Sequence, residues 1–153
     1  MAHIPLFYRL FFLYIDPLIC LSGIYLAFLD PQSFLLNAVP SALTSSIDPT
    51  TAPLAAYLII SIGAYSLAIL SLQLLLLHGL KDAPNGLNVK LWKILQFSIL
   101  LIDIGLIYGI YVSSPAELAT WAGKDWGNVG ILGALIIIRS AFLVGIGGVG
   151  RSV

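Results

Sequence analysis

The sequence predicts an all-α fold, a four-helix transmembrane bundle. Two observations carry that reading. First, of 153 residues 59% are hydrophobic and only 9% are charged, and the mean hydropathy is +1.02. A water-soluble domain carries about 25% charged residues to cover its surface, so this chain must be solvated by something other than water. Second, the apolar residues gather into four stretches, each long enough for the ~20-residue crossing of a hydrocarbon core. Backbone groups cannot go unpaired in lipid, which leaves helices or a closed barrel. Runs such as 67–77 show no strict alternation, so the barrel is excluded.

The spans follow from their stop and start signals. The first is expected over 5–29, stopped by Asp30-Pro31 because proline disfavours helix in the residue before it. It lacks a small-x-small cleavage site and reads as a signal anchor that stays. The second, 53–78, opens on Pro53, which suits a first helical turn. A polar turn containing Pro84-Asn85-Gly86 leads to the third span, 90–112, which ends before Ser113-Ser114-Pro115. The fourth is expected over 128–149. The whole chain, 1–153, reads as one membrane domain. The longest connection, 30–52, mixes Phe34, Leu35 and Leu36 with prolines and serines. It is expected to lie on the membrane surface or to cap the bundle.

Four spans put both termini on one side, together with the second loop. That side collects Arg9, Lys81, Lys90, Lys93 and Arg151; the opposite side has only Lys124. The positive-inside rule counts Lys and Arg in short loops and so puts the termini in the cytoplasm, with the endoplasmic reticulum or another endomembrane as the expected home. Trp92 and Trp126 are then expected near opposite interfaces, as an aromatic belt places them.

Several function classes are excluded. Formal net charge is zero and no basic cluster exists, which argues against nucleic acid. Cys20 is the single cysteine, so no intrachain disulfide forms. His3 and His78 have no Cys or Glu at ligand spacing, so neither a metal nor another cofactor is expected. The glycine run at 145–150 superficially resembles a dinucleotide fingerprint, but no strand precedes it. It reads as close helix packing or a loose helix end.

Against this apolar background, Asp16, Asp103 and Arg139 each fall near the middle of a span. A charge there costs about 2.5–3.5 kcal/mol on insertion scales, so such residues face the bundle interior and find partners. At 100° per residue, Arg9, Asp16 and Cys20 fall within about 40° of one another. Trp92, Gln96 and Asp103 share a face of the third span, and Asn128, Leu135 and Arg139 a face of the fourth. The second span offers Ser66 and Gln73, less closely aligned. The stripes are expected to converge, with two aspartates and two arginines able to form a neutral network and Asp103 meeting Arg139. Pro17 removes one helical hydrogen bond and leaves the carbonyl of Leu13 without its usual donor. A kink beside a buried acid is one way to open a pocket.

The same segments resemble a known family. Phe7-Tyr8-Arg9-Leu10-Phe11-Phe12-Leu13-Tyr14-Ile15-Asp16-Pro17 resembles the opening of short fungal integral membrane proteins of unknown function. Those often carry Glu where this chain has Asp16. Asp125-Trp126-Gly127-Asn128-Val129-Gly130, followed by Arg139, is similar to their last span, and the Trp92 and Asp103 pattern fits their third. The resemblance covers nearly the whole chain, and Asp-Trp-Gly-Asn is its most specific part. It implies a four-span fold and a fungal source, and it transfers no activity.

The expectation is a membrane protein, in contact with the lipid bilayer, that holds a lipophilic small molecule in a polar pocket inside the bundle. It would act as an isomerase or cyclase, with Asp16 or Asp103 as general acid. Arg9 and Arg139 would orient carboxylates or bind anionic groups. Trp92 and Trp126 would line the cavity and stabilise a cation, with Gln73, Gln96 and Asn128 completing the binding residues. The alternative is a non-enzymatic scaffold or accessory subunit, in which the buried pair only holds helices together. The sequence specifies no oligomeric state.

Overall fold

The structure is a computed structural model that describes residues 3–41, 52–113, 121 and 123–150. Those residues contain helices and turns and no strand. Helix α1 runs Leu6–Leu29, α2 Pro31–Ala38, α3 Ala52–Gly79, α4 Leu87–Ser113 and α5 Gly123–Val144. By length and composition, α1, α3 from Pro53, α4 and α5 can each cross a membrane. The chain is an integral, multi-pass membrane protein. Its outward side chains fit that solvent: Leu6, Leu75, Ile137 and Val144 are each more than two-thirds exposed.

Asp30 ends α1 and starts α2 at once. Its carboxylate accepts the Ser33 amide at 3.0 Å, with Pro31 in the first turn of α2. This is the N-cap arrangement that satisfies an orphan helix donor. Hydrogen bonds from the Ser33 side chain and then its backbone hold the Asp30 carboxyl below the usual carboxylate range. The connection after the first span thus forms a helix that packs on α1 and α3, at the bundle end away from the described termini.

Helices α1 and α3 form one close pair, α4 and α5 the other. Gly63 sets the first crossing. A Cβ there would lie 2.9 Å from the Ala27 Cβ, so only glycine allows this approach. The turn between α3 and α4 uses two left-handed residues, Asn85 (φ 57°) and Gly86 (φ 73°), the conformation Asn and Gly tolerate best.

The fourth span, α5, is displaced from the sequence expectation at both ends. It begins at Gly123 and stops at Val144. Beyond it Gly145, Gly147, Gly148 and Gly150 all take positive φ, between 79° and 87°, a region open to glycine at little cost. The run that looked like a dinucleotide loop winds back under the bundle, where Gly150 N–H donates to the carbonyl of His3 at 2.9 Å. The two described chain ends therefore meet on one side. Lys93 Nζ caps the end of α5 by donating to the Leu143 carbonyl at 2.7 Å, where a cation suits the helix dipole.

The apolar core lies toward that same end. The Phe142 ring sits 5.1 Å from Tyr8, 5.2 Å from Phe12 and 6.4 Å from Trp92, centroid to centroid. The first two are edge-to-face pairs, which add about 0.5–1.5 kcal/mol each beyond area burial. Trp92 is 0% exposed. It packs in this cluster rather than facing an interfacial belt, because α1 and α5 present matching rings at its depth. Trp126 is 51% exposed.

Candidate functional site

One guanidinium joins the helices above the aromatic core. Arg139 on α5 donates from Nε to Asp103 Oδ2 on α4 at 2.7 Å and from Nη2 to Asp16 Oδ1 on α1 at 2.7 Å. Its Nη1 donates to Gln96 Oε1 on α4. The second span enters through Gln73, whose Nε2 donates to Asp16 Oδ2 at 2.7 Å and to the Phe12 carbonyl at 2.9 Å. Arg139, Asp16, Asp103, Gln73 and Gln96 are all at most 5% exposed. The guanidinium also lies 5.9 Å from the centroid of the Phe12 ring, within cation–π range.

A local helix defect makes this geometry. Residues Phe11–Ile15 form a π-turn, and the Asp16 N–H bonds the Phe11 carbonyl five residues back. The next donor in that register would be Pro17, which has no N–H. The orphaned acceptor is therefore the Phe12 carbonyl, and Gln73 satisfies it. The expectation named the carbonyl of Leu13; the carbonyl that Gln73 meets is that of Phe12. The same extra residue shifts the helical phase by about 100° between the first turn and the rest of α1. Arg9 is thereby turned away from the Asp16 face and is exposed. The neutral network of two acids and two arginines is corrected as well: the cluster holds two carboxylates and one guanidinium.

The structure thus brings together Asp16, Gln73, Gln96, Asp103 and Arg139. Trp92 lies in the aromatic core beside them. Arg9, Trp126 and Asn128 lie elsewhere. Asn128 is part of a clamp on α2: its Nδ2 donates to the Asn37 carbonyl at 2.8 Å. Lys124 Nζ donates to the carbonyls of Leu36 and Val39, and Asp125 Oδ1 accepts the Ser41 amide at 3.0 Å. The start of α5 thereby caps the carbonyl end of α2, which gives the Asp-Trp-Gly-Asn segment a structural role.

Near the cluster, α1 and α3 flank a half-open cavity of about 180 Å³ that Phe34 of α2 also lines. Cys20, one helical turn beyond Asp16, contributes to its wall with Gly23, Ala27, Gly63 and Ser66. Sequence reasoning passed over these residues apart from Cys20 and Ser66. The signal for them is the pair of glycines, Gly23 and Gly63, in otherwise large-residue spans. No group of three or more His, Cys, Asp or Glu side chains converges to hold a metal among the described residues.

With that geometry in place, comparison with known families is decisive on one point. A family model described as Domain of unknown function (DUF7704) matches residues 1–149. The chain belongs to the DUF7704 family. The match takes in every member of the cluster and the cavity, and the family's description assigns no activity. No curated protein and no solved structure matches the chain.

Proposed function

We propose that this DUF7704 protein binds a lipophilic small molecule between its first two membrane helices, next to the buried ion cluster. The observation that carries the reading is the cavity of about 180 Å³ between α1 and α3, with Cys20 at the turn that follows Asp16. An apolar cavity of about 150 Å³ holds a benzene-sized ring. The space therefore suits one ring or branched end of a longer lipophile, with its remainder extending toward the bilayer. Isomerisation or cyclisation of such a molecule, with a buried aspartate as general acid, is the catalytic form of this proposal. Asp16 uses both carboxylate oxygens as acceptors, so Asp103 is the better placed of the two acids to supply a proton. The charge asymmetry of the loops supports an orientation with both termini in the cytoplasm of an endomembrane protein.

Cys20 is the only thiol in the chain, and its reactivity reports on the cavity. Membranes containing the protein are treated with a membrane-permeable maleimide in the presence of candidate lipophiles. A bound lipophile slows alkylation of Cys20 in the wild type. Gly23→Leu, whose side chain extends into space where a Cβ meets nothing within 4 Å, removes the protection by filling the cavity. If no lipophile changes the alkylation rate, the binding reading is lost.

A second reading has its own support. All three guanidinium nitrogens of Arg139 are already bonded within the protein, which suits a non-enzymatic scaffold whose polar cluster holds four helices in register. Under that reading Asp16→Asn weakens the bundle, and no lipophile protects Cys20.

A further inference from the structure

The cluster is electrostatically unbalanced. Asp16 and Asp103 face a single Arg139, which leaves one formal negative charge near the middle of a membrane bundle, where an uncompensated charge is unfavourable. We propose that the cluster binds one proton, and that Asp103 Oδ1 carries it.

The hydrogen bonds select the atom. Asp16 Oδ1 accepts from Arg139 and Oδ2 from Gln73, both at 2.7 Å, so a proton on either oxygen would oppose an existing donor. Asp103 Oδ2 accepts from Arg139 Nε at 2.7 Å, and Oδ1 makes no hydrogen bond among the described residues. A proton taken from water forms an O–H bond at Oδ1 and breaks no contact in the cluster. Its formal charge passes from one negative to neutral.

Among the described residues, the surroundings of Asp103 supply no cation besides Arg139. From α5 the facing group is Arg139, and from α1 they are Asp16 and, one turn on, Cys20. Helix α3 presents neutral Gln73, itself bonded to Asp16; its one histidine, His78, is exposed at the end of the helix, and Tyr57 and Tyr65 are exposed on its outer surface. On α4 itself, Lys93 is engaged with the Leu143 carbonyl. Charge balance at the cluster therefore depends on a proton. This inference stands on the charge count and holds whether or not the neighbouring cavity takes a ligand.

The test is infrared spectroscopy of the full chain in lipid, grown with aspartate labelled with carbon-13 at its side-chain carboxyl. At neutral pH the wild type is expected to show one protonated-carboxyl band that shifts with the label. Asp103→Asn removes that band, and Asp103→Glu moves it out of the labelled set. Should the Asn variant not fold, the Glu variant carries the assignment. A wild type without a protonated, label-sensitive carboxyl band overturns the proposal. So does a band that survives in a folded Asp103→Asn or Asp103→Glu protein, which would put the proton on another aspartate.

Discussion

Cutting the link between Asp16 and Arg139 tests the cluster energetically. Arg139→Gln removes the cation and leaves Asp16 and Asp103 without it in the bundle, each at 5% exposure or less. Breaking one partner of a buried ion pair costs about 3–5 kcal/mol. Asp16→Asn keeps the shape and an acceptor but loses a charge-assisted bond of 2.7 Å, and bonds to charged groups are worth about 1.5–3 kcal/mol. The double variant removes both charges together and costs less than the sum of the two. The expected coupling is about 1.5–3 kcal/mol, against an average near 0.6 kcal/mol for polar contacts between membrane helices. Reversible unfolding in mixed detergent, run on all four proteins, measures it. A coupling below about 0.5 kcal/mol, the scatter expected of independent sites, would refute a direct Asp16–Arg139 pair.

Three further outcomes follow from neighbouring contacts. Gln73→Leu strands the Phe12 carbonyl and one Asp16 oxygen and costs about 1–3 kcal/mol; the cost shrinks in a Pro17→Ala background, where the backbone regains an N–H, as parallel unfolding curves will test. Gly63→Val places new atoms against Ala27, where even a Cβ would come to 2.9 Å, and destabilises by about 1–3 kcal/mol in the same assay. The Asp30 carboxyl is held below its ordinary range by Ser33, so its contribution to α2 is present above its unfolded titration range and is lost as pH falls through the lower folded value. Amide exchange at Ser33 should accelerate there in the wild type and lose that pH step in Asp30→Asn.

The spans were legible because membrane solvation imposes a strong pattern: about twenty apolar residues with backbone bonds closed internally. The pairing of Asp103 with Arg139 was legible from depth, since both are mid-span on helices joined in sequence. Gln73 was harder to place, being the one polar residue on its helix that reaches the cluster from an imperfectly aligned position. Arg9 was misplaced for a definite reason. Helical phase was carried at a constant step from Arg9 to Asp16, whereas the turn before Pro17 holds one residue more than an α-turn. The roles of Lys124 and Asn128 were not readable, because their acceptors are backbone carbonyls of α2, about ninety residues away in the chain. Main-chain acceptors leave no mark in a residue pattern. The cavity was equally silent, since it is defined by where α1 and α3 separate beyond the Gly63 crossing.

The space beside the cluster is expected to receive a lipophile. Native mass spectrometry of the protein released gently from its own membranes tests it most directly. The wild type is expected to carry one small lipophilic adduct per chain. Gly23→Leu, with the cavity filled and the melting temperature preserved, is expected to carry none. An identical adduct pattern in the two proteins, or a wild type free of any adduct beyond bulk lipid, would contradict it.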